Sequence, residues 1–346
     1  MKPANQPRLG VVIVNYRRAA DSIECLESLL RSTVPLRVVV VDNGSGDGSA
    51  EAIAAWAAGQ QAPAPASAEM AAYSTPPLPK PLPCRQIGPD APDALASPPE
   101  GVLTLINSPA NLGFAGGNNL GLRHLLGDPG LEAFWLLNND TVVAPDAAAA
   151  ILQRLDASPQ AGMCGTVVRY YWRPGVVQAL NGSRFNLYTG ASASIGGGDP
   201  VEKSFSPQEV AWETDFVLGA SMIVTRRFLD RVGLMEERYF LYFEEIDWAT
   251  RNNKLGRQAL DTVFAHGAHV WHKEGGSIGS SGAKGQRSAF SDYWLARARL
   301  RFIRTHHLLL WPWHWLFTGL LVLRRLLRRQ PRKAGALLRA MFGMNY

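Results

Sequence analysis

Residues 9–49 read LGVVIVNYRRAADSIECLESLLRSTVPLRVVVVDNGSGDGS. Two β-branched runs, 9–16 and 37–42, each stop on polar residues, and an amphipathic stretch, ADSIECLESLLRS, lies between them. Short apolar runs bounded by turn residues predict strands, and an apolar period near 3.6 predicts a helix. The unit is therefore β-α-β, and SAEAIAAWAA at 49–58 continues it as a second helix. Parallel strands joined by crossover helices imply a right-handed, doubly wound sheet whose ligand crevice lies beyond the C-terminal ends of the strands. Asn15 and Asp42 fall at two such ends, and Asp140 at a third.

The alternation resumes with VLTLINS (102–108), NLGFAGGNNLGLRHLL (111–126) and FWLLNND (134–140). Residues 162–224 read as mixed, with β-rich pieces and Gly-rich turns, and helical patterning returns at EEIDWATRNNKLG (244–256). Residues 61–100 hold 11 of the 23 prolines and are expected to form a flexible surface insertion rather than a packed element. The chain shows no internal repeat. At 346 residues, with 47 % hydrophobic composition and 33 glycines, it suits an α/β protein with a substantial core.

Three widely spaced cysteines, Cys25, Cys84 and Cys164, argue against a disulfide framework or a four-cysteine zinc site. A reducing cytosol is expected, and the VVIV run near the N-terminus reads as a strand, not an export signal. The formal charge of +6 is unevenly placed: no acidic residue follows Asp292, while eleven Lys and Arg lie between Arg297 and Arg339. Of 35 basic and 29 acidic residues, those eleven leave residues 1–292 at about −5.

Several clusters can carry chemistry. Asp42, followed by Asn43 and Gly44, can accept from a nucleobase N–H or from ribose hydroxyls, or simply form an Asx turn ahead of the helix. NLGFAGGNN places Asn111, Gly113, Gly116, Gly117 and Asn118 at a helix start, where backbone N–H groups suit phosphate or ribose. No GxGxxG dinucleotide fingerprint is present. Asp140, ending a central strand behind Asn138 and Asn139, is placed to hold a divalent cation against a diphosphate. In FEEID, Glu244 and Asp247 share one helix face while Glu245 points elsewhere, and one carboxylate can serve as a general base. A zinc site of His266, His269 and His272 is disfavoured because strand alternation separates the middle histidine from the other two. His272 alone can complete a shared metal site, with Lys273 and Ser277 near phosphate charge.

Taken in order, VVIVNYRRAADSIECLESLL, VVVVDNGSGDGS, NLGFAGGNNLG, WLLNNDT, DFVLGASMIVTRRFLDRVGLMEERYFLYFEEIDWATR and HVWHKEGGS resemble the inverting family 2 glycosyltransferases of the GT-A fold, rhamnosyltransferase-like branch. The resemblance spans most of residues 9–300. It implies an α/β GT-A domain at 1–300, with a nucleotide-binding half at 1–140, an acceptor half at 141–300 and a helical, membrane-associating tail at 301–346. It implies nucleotide-sugar contacts at Asn15, Tyr16, Asp42, Asn43, Asn111, Gly113, Gly116, Asn118, Asn138 and Asn139, with Asp42 recognising the base. Asp140 takes the last position of a DxD-like motif and with His272 would hold Mg²⁺ or Mn²⁺. Glu245 stands where the catalytic base is expected, with Glu244 and Asp247 as neighbours able to take that role. Gly219, Ala220, Lys273 and Ser277 would contact acceptor or diphosphate. The implied reaction moves a sugar, rhamnose from dTDP-rhamnose in this branch, to a glycan or lipid-linked acceptor for cell-surface polysaccharide. A non-catalytic nucleotide-sugar binder is the alternative, disfavoured by the acidic cluster.

The tail carries LLLWPWHWLFTGLLVL (308–323), too short to span a bilayer, followed by RRLLRRQPRK. Tryptophans at one end and arginines at the other suit a segment lying in the interface of an anionic membrane. A helix docked on the catalytic domain is the other reading. The first reading implies a cytoplasmic enzyme, peripheral on the inner face of the cell membrane. Because the basic residues surround an apolar tryptophan-rich run rather than a groove-reading module, nucleic acid is not an expected partner.

Overall fold

The computed structural model describes residues 6–88, 103–274 and 288–346. Ser277 lies outside them. The chain opens with β1 (Leu9–Asn15), α1 (Ala19–Leu29), β2 (Leu36–Asn43) and α2 (Ser49–Ala57), the predicted β-α-β unit and its following helix. β1 pairs in parallel with β2, setting Asn15 opposite Asp42. Both strands are buried on both faces, as a near-continuous valine run demands. Val11, Ile13, Val38 and Val40 enter one layer with Ile23, Leu26 and Trp56, while Val12, Val39 and Val41 enter the opposite layer.

Residues 61–88 depart from the expectation of an unpacked insertion. They form α3 (Ala71–Ser74) and β3 (Cys84–Ile87), and β3 adds a parallel edge strand to β4 (Leu103–Ser108). Met70 enters the main core and the Tyr73 ring lies 4.4 Å from that of Trp271. Proline forbids ladder donors but is tolerated beside an edge strand, and here a few apolar anchors suffice to pack it.

α4 (Gly113–Leu126) leads to β5 (Ala133–Asn138) and β6 (Thr141–Val143). β5 lies parallel to β1, with Leu136 beside Val12. Gly117 and Gly121, one helical turn apart, face Val14 and Val12, and a Cβ at either would collide with those side chains. Their absence of side chain lets α4 rest directly on the sheet.

After α5 (Ala147–Asp156) come β7 (Ala161–Tyr170), β8 (Arg173–Leu180), β9 (Gly182–Asn186), β10 (Ala191–Ser194), α6 (Pro207–Glu213), β11 (Phe216–Val217), β12 (Ser221–Thr225) and α7 (Arg226–Val232). α8 (Glu244–Asn253) and β13 (Asp261–His272) complete the sheet. Among the described residues the main sheet runs β3-β4-β2-β1-β5-β12-β7-β13-β6, with β8 paired to β7. The half from β3 to β5 is entirely parallel, while β12 runs antiparallel between β5 and β7. A three-stranded sheet, β10-β9-β11, stands apart.

The chain ends in α9 (Ala289–His306), α10 (Trp311–Leu327) and α11 (Pro331–Met341). α10 and α11 dock on α9 through Val322, Leu337 and Ala340 against Tyr293 and Ala296. Arg325 pairs with Asp292 at 2.7 Å, and Arg299 Nη2 donates to Thr318 Oγ1 at 2.7 Å. No helix of the described residues is long and apolar enough to cross a membrane.

Candidate active site

The C-terminal ends of β1, β2 and β5 open onto a crevice of about 320 Å³. Tyr16, Asn43, Asn111, Gly113, Asn118 and Asn138 line it, together with Asn139, Asp140 and His272. Nine residues singled out in the sequence are thus brought to one cavity from five separate segments of chain.

Asn43 organises the Gly-rich loop. Its Oδ1 accepts from Leu112 N at 3.0 Å, and its Nδ2 donates to Gly113 O at 3.0 Å and Asn111 Oδ1 at 3.2 Å. Gly113 has φ +72°, and a Cβ there would strike the Phe240 carbonyl. Phe114 N donates to that same carbonyl at 2.9 Å, which seats the 236–243 segment over the crevice mouth.

Asp42 and Asn15 are hydrogen-bonded to each other where β2 and β1 end. Asn15 Nδ2 and Ser45 Oγ both donate to Asp42 Oδ1, at 2.7 and 2.6 Å, and Ser22 Oγ donates to Asn15 Oδ1 at 2.7 Å. Both residues are buried and neither lines the crevice. Their hydrogen bonds fix the turn that presents Asn43, the Asx-turn reading of this stretch. Gly116 likewise lies off the crevice, its α-carbon turned toward Leu112.

Asp140 and His272 meet at the end of β5, with Oδ1 and Nε2 3.1 Å apart and both residues buried. Burial acts to raise the Asp140 carboxyl, but the charge and hydrogen bond of His272 outweigh it and hold the group below its ordinary range. Gln178 Oε1 lies 2.9 Å from His272 Nδ1, so that nitrogen carries the donor proton. Nε2 then faces both a carboxylate oxygen and, at 3.3 Å, Asn138 Nδ2, so its lone pair is open to the Asn138 amide or to a cation shared with Asp140. This donor set, one carboxylate oxygen and one imidazole nitrogen with an ordered outer partner, fits a divalent cation whose remaining ligands come from a bound diphosphate. Among the described residues no cluster of three or more His, Cys, Asp or Glu forms a self-sufficient metal site.

Lys273 does not face the crevice as expected. Its Nζ lies 2.6 Å from Asp21 Oδ1 and 2.5 Å from Glu24 Oε2, because the chain turns after β13 toward α1. Two adjacent carboxylates neutralise the ammonium and staple this turn to the helix.

The acidic cluster divides by face. Asp247 is buried and engaged by Arg251 Nε at 2.8 Å and His306 Nε2 at 2.7 Å, so it ties α8 to α9. Glu244 is 1 % exposed, and its Oε1 lacks a hydrogen-bond partner among the described residues. Burial, then the neighbouring charges of Glu245 and Asp247, lifts its carboxyl well above the ordinary glutamate range. Glu245 is half-buried and is also raised by burial. Its Oε1 rests against Gly219, where a Cβ would occupy the same space. The adjoining Ala220 carbonyl accepts from Asn138 N at 3.0 Å, which ties the turn carrying Gly219 to the end of β5, while Glu245 itself is not among the residues that line the crevice. Two consecutive aromatic residues, Tyr242 and Phe243, hold φ +70° immediately before α8. Such a conformation is costly for bulky residues and persists where the surroundings impose it.

Sequence reasoning missed Gln178, Phe240, Leu241, Glu274 and Phe290, all of which line the crevice. Phe240 had a visible signal, an aromatic run just ahead of the acidic cluster; Gln178, one polar residue in a hairpin strand, had none.

Residues 93–201 match the model of the glycosyl transferase family 2. The N-acetylglucosaminyl-diphospho-decaprenol L-rhamnosyltransferase of Mycobacterium tuberculosis is 25 % identical over 240 residues, covering 64 % of this chain and 73 % of that one. A low-salt glycan biosynthesis hexosyltransferase of Haloferax volcanii is 25 % identical over 183 residues, covering 46 % and 50 %. Among solved structures, S. aureus TarS 1-349 in complex with UDP-GlcNAc superposes with a TM-score of 0.52 at 14 % identity, covering 96 % of this chain and 81 % of that one. GalNAc-T7 with UDP, GalNAc and Mn²⁺ gives a TM-score of 0.51 at 11 % identity, covering 86 % and 48 %. These two show the α/β fold, and the family 2 match over residues 93–201, together with the curated relatives, supplies the class: the chain is an enzyme of the glycosyltransferase class, similar to rhamnosyltransferases.

Proposed function

We propose that this enzyme transfers rhamnose from dTDP-rhamnose, with inversion, to a hydroxyl of a lipid-linked glycan acceptor. The observation that carries the reading is the placement of Glu245 against Gly219, one residue from the carbonyl that receives Asn138 N. A carboxylate held there, raised by burial, can take the proton of an acceptor hydroxyl as that oxygen attacks the anomeric carbon. Tyr16, Asn43, Asn111 and Asn118 orient the nucleotide sugar in the crevice they line. Asp140 and His272 would hold Mg²⁺ or Mn²⁺, which when bound supplies positive charge to the departing diphosphate. The rhamnosyl and lipid-linked details rest on the likeness to the mycobacterial enzyme.

Residues 1–300 form the transferase in this reading, and 301–346 attach it to an anionic membrane surface. Leu309, Trp313, Leu316, Leu320, Leu323 and Leu327 recur at three- and four-residue spacing, and each is at least 48 % exposed. That is one apolar stripe along α10 and the turn before it, with exposed arginines at its C-terminal end. Trp311 and Trp315 leave the stripe: Trp311 packs at the edge of the core and Trp315 lies against Phe342.

A donor-hydrolysis screen of purified nucleotide sugars with Mg²⁺ or Mn²⁺ tests the donor. dTDP-rhamnose should stand out, and Glu245→Gln should suppress transfer while nucleotide binding persists. A different donor hydrolysed fastest would reject the rhamnosyl assignment.

A further inference from the structure

A second cavity, of about 760 Å³, opens between α9, α10 and α11. Arg238, Arg297, Arg301 and Arg304 line it, and Trp311 and Phe342 stand among its apolar walls. Among the described residues no carboxylate lines it. Arg238 is held by Glu236 at 2.6 Å, and Arg297 donates to the Tyr293 hydroxyl at 2.7 Å. Arg301 and Arg304 have no ion-pair or hydrogen-bond partner among the described residues. Burial, together with the charges of Arg238 and Arg297, pulls the Arg301 guanidinium below its ordinary range, so the cations crowd one another. An anion with two or more charges would relieve that repulsion, and planar guanidinium groups match phosphate oxygens.

The cavity is linked to the donor crevice by one helix face. Phe290, Trp294, Arg297, Arg301 and Arg304 follow one another at four- and three-residue steps, which keeps them on a single stripe of α9. Phe290 lines the donor crevice, and Trp294 stacks at 4.5 Å on Phe240, which lines it too. Arg297 is seven residues from Phe290, roughly 10 Å along a helix, while Arg301 and Arg304 lie roughly 17 and 21 Å from it. A diphosphate held between Arg297 and Arg301 would set an attached sugar along the stretch of α9 that leads to Phe290. The apolar wall of the cavity is made by Leu300, Trp311, Trp315, Met341 and Phe342, and Phe342 is itself exposed.

We propose that the cavity between α9, α10 and α11 binds the diphosphate of a lipid-linked acceptor. The hydrocarbon leaves past Trp315, Met341 and Phe342, between α10 and α11, and the sugar points along α9 toward the donor crevice. This assignment rests on the transferase reading above and names where its acceptor is held.

The test uses the full-length protein and farnesyl diphosphate as a soluble stand-in for a diphosphate on a hydrocarbon chain, titrated calorimetrically beside inorganic diphosphate and phosphatidylglycerol vesicles. Farnesyl diphosphate should bind at least ten-fold tighter than inorganic diphosphate and should not be displaced by saturating nucleoside diphosphate. Arg301→Gln with Arg304→Gln should weaken it at least ten-fold, and Arg301→Lys with Arg304→Lys should recover most of the loss. Displacement by nucleoside diphosphate would place the ligand in the donor crevice and overturn the proposal. Equal affinity for inorganic diphosphate would also overturn it, as would an unchanged double glutamine variant that retains its native circular dichroism. If vesicles bind through these arginines while farnesyl diphosphate does not, the cavity is a phospholipid headgroup site and the acceptor assignment fails. Wild-type donor hydrolysis is read in parallel. If hydrolysis is present and farnesyl diphosphate fails to bind, only the acceptor site is rejected; if hydrolysis is absent for every donor, the transferase reading itself is rejected.

Discussion

At the scale of single residues, three carboxylates within four positions have three different environments, and each environment makes its own prediction. Glu245→Gln should lower turnover about 10² to 10⁴-fold with donor binding retained, since the amide keeps shape but cannot take a proton. The wild-type carboxyl is raised by burial, so it must lose its proton at a higher pH than an ordinary glutamate. Activity should therefore climb with pH through an acidic limb displaced above the normal carboxylate range, read as kcat/KM against pH. Glu244 is the more deeply buried of the two and its carboxyl is raised well above the ordinary range. Its folded pKa exceeds its unfolded one, so the folded state binds the extra proton and stability falls as pH rises through that interval. Glu244→Gln should flatten that fall, read as urea midpoints measured from about pH 4, near the ordinary glutamate pKa, upward. Asp140→Ala should abolish the Mn²⁺ dependence of nucleoside diphosphate binding by calorimetry, and equal affinity with and without Mn²⁺ in the wild type would refute the Asp140–His272 pair as ligands.

At the scale of elements, α8 matters because it carries the proposed base on one face and its own anchor on another. Asp247, Arg251 and His306 bind α8 to α9, and Arg251 Nη1 and Nη2 also donate to the Val232 and Leu234 carbonyls at 2.7 and 2.8 Å. Removing one member of a buried ion pair leaves its partners unsatisfied. Asp247→Ala should therefore cost about 3 kcal/mol in denaturant unfolding, and any activity lost should return in part at lower temperature. Gly219 offers a second element-level test. Gly219→Ala places a methyl where Glu245 Oε1 lies, and should reduce turnover while leaving nucleotide affinity near wild type. In the sequence, the spacing of Glu244, Glu245 and Asp247 already separated their faces. It did not show which face met α9, because that depends on His306, 59 residues further along.

At the scale of the whole molecule, α10 and α11 are docked and yet leave one apolar face outward. Docking uses Val322, Thr318 and His314, whose Nε2 lies 2.9 Å from the Leu187 carbonyl. A truncation ending at Thr305 would uncover Tyr293, Ala296 and Arg299, so it should lose stability as well as membrane affinity. Substituting the exposed face is the cleaner test: Leu316, Leu320 and Leu323 changed together to Ser should leave the melting temperature within a few degrees. Binding to anionic vesicles should fall several-fold in sedimentation assays, because each exposed leucine contributes buried area only when the membrane is present. A triple variant that binds vesicles as well as wild type would refute the membrane role of the stripe.

Local physics was enough to read several features from the sequence. β-branched runs paired with a 3.6-residue period declared parallel strands and crossover helices, and polar residues at strand ends declared the crevice, because periodicity and turn chemistry act over a few neighbours. The ordered pieces within 61–88 escaped that reading, since a proline-rich stretch packs only when an open sheet edge and a pocket for Met70 are already present. The chemistry of Lys273, Asp42 and Asn15 was legible in the sequence, but their partners within the fold, Asp21, Glu24, Ser45 and Ser22, were not. The same holds for the tail, where composition announced an amphipathic helix and contacts with α9 decided which tryptophan faces out. Charge and hydrogen-bonding capacity belong to a residue and can be read in order along the chain; which neighbour satisfies them is settled only when distant segments close around one core.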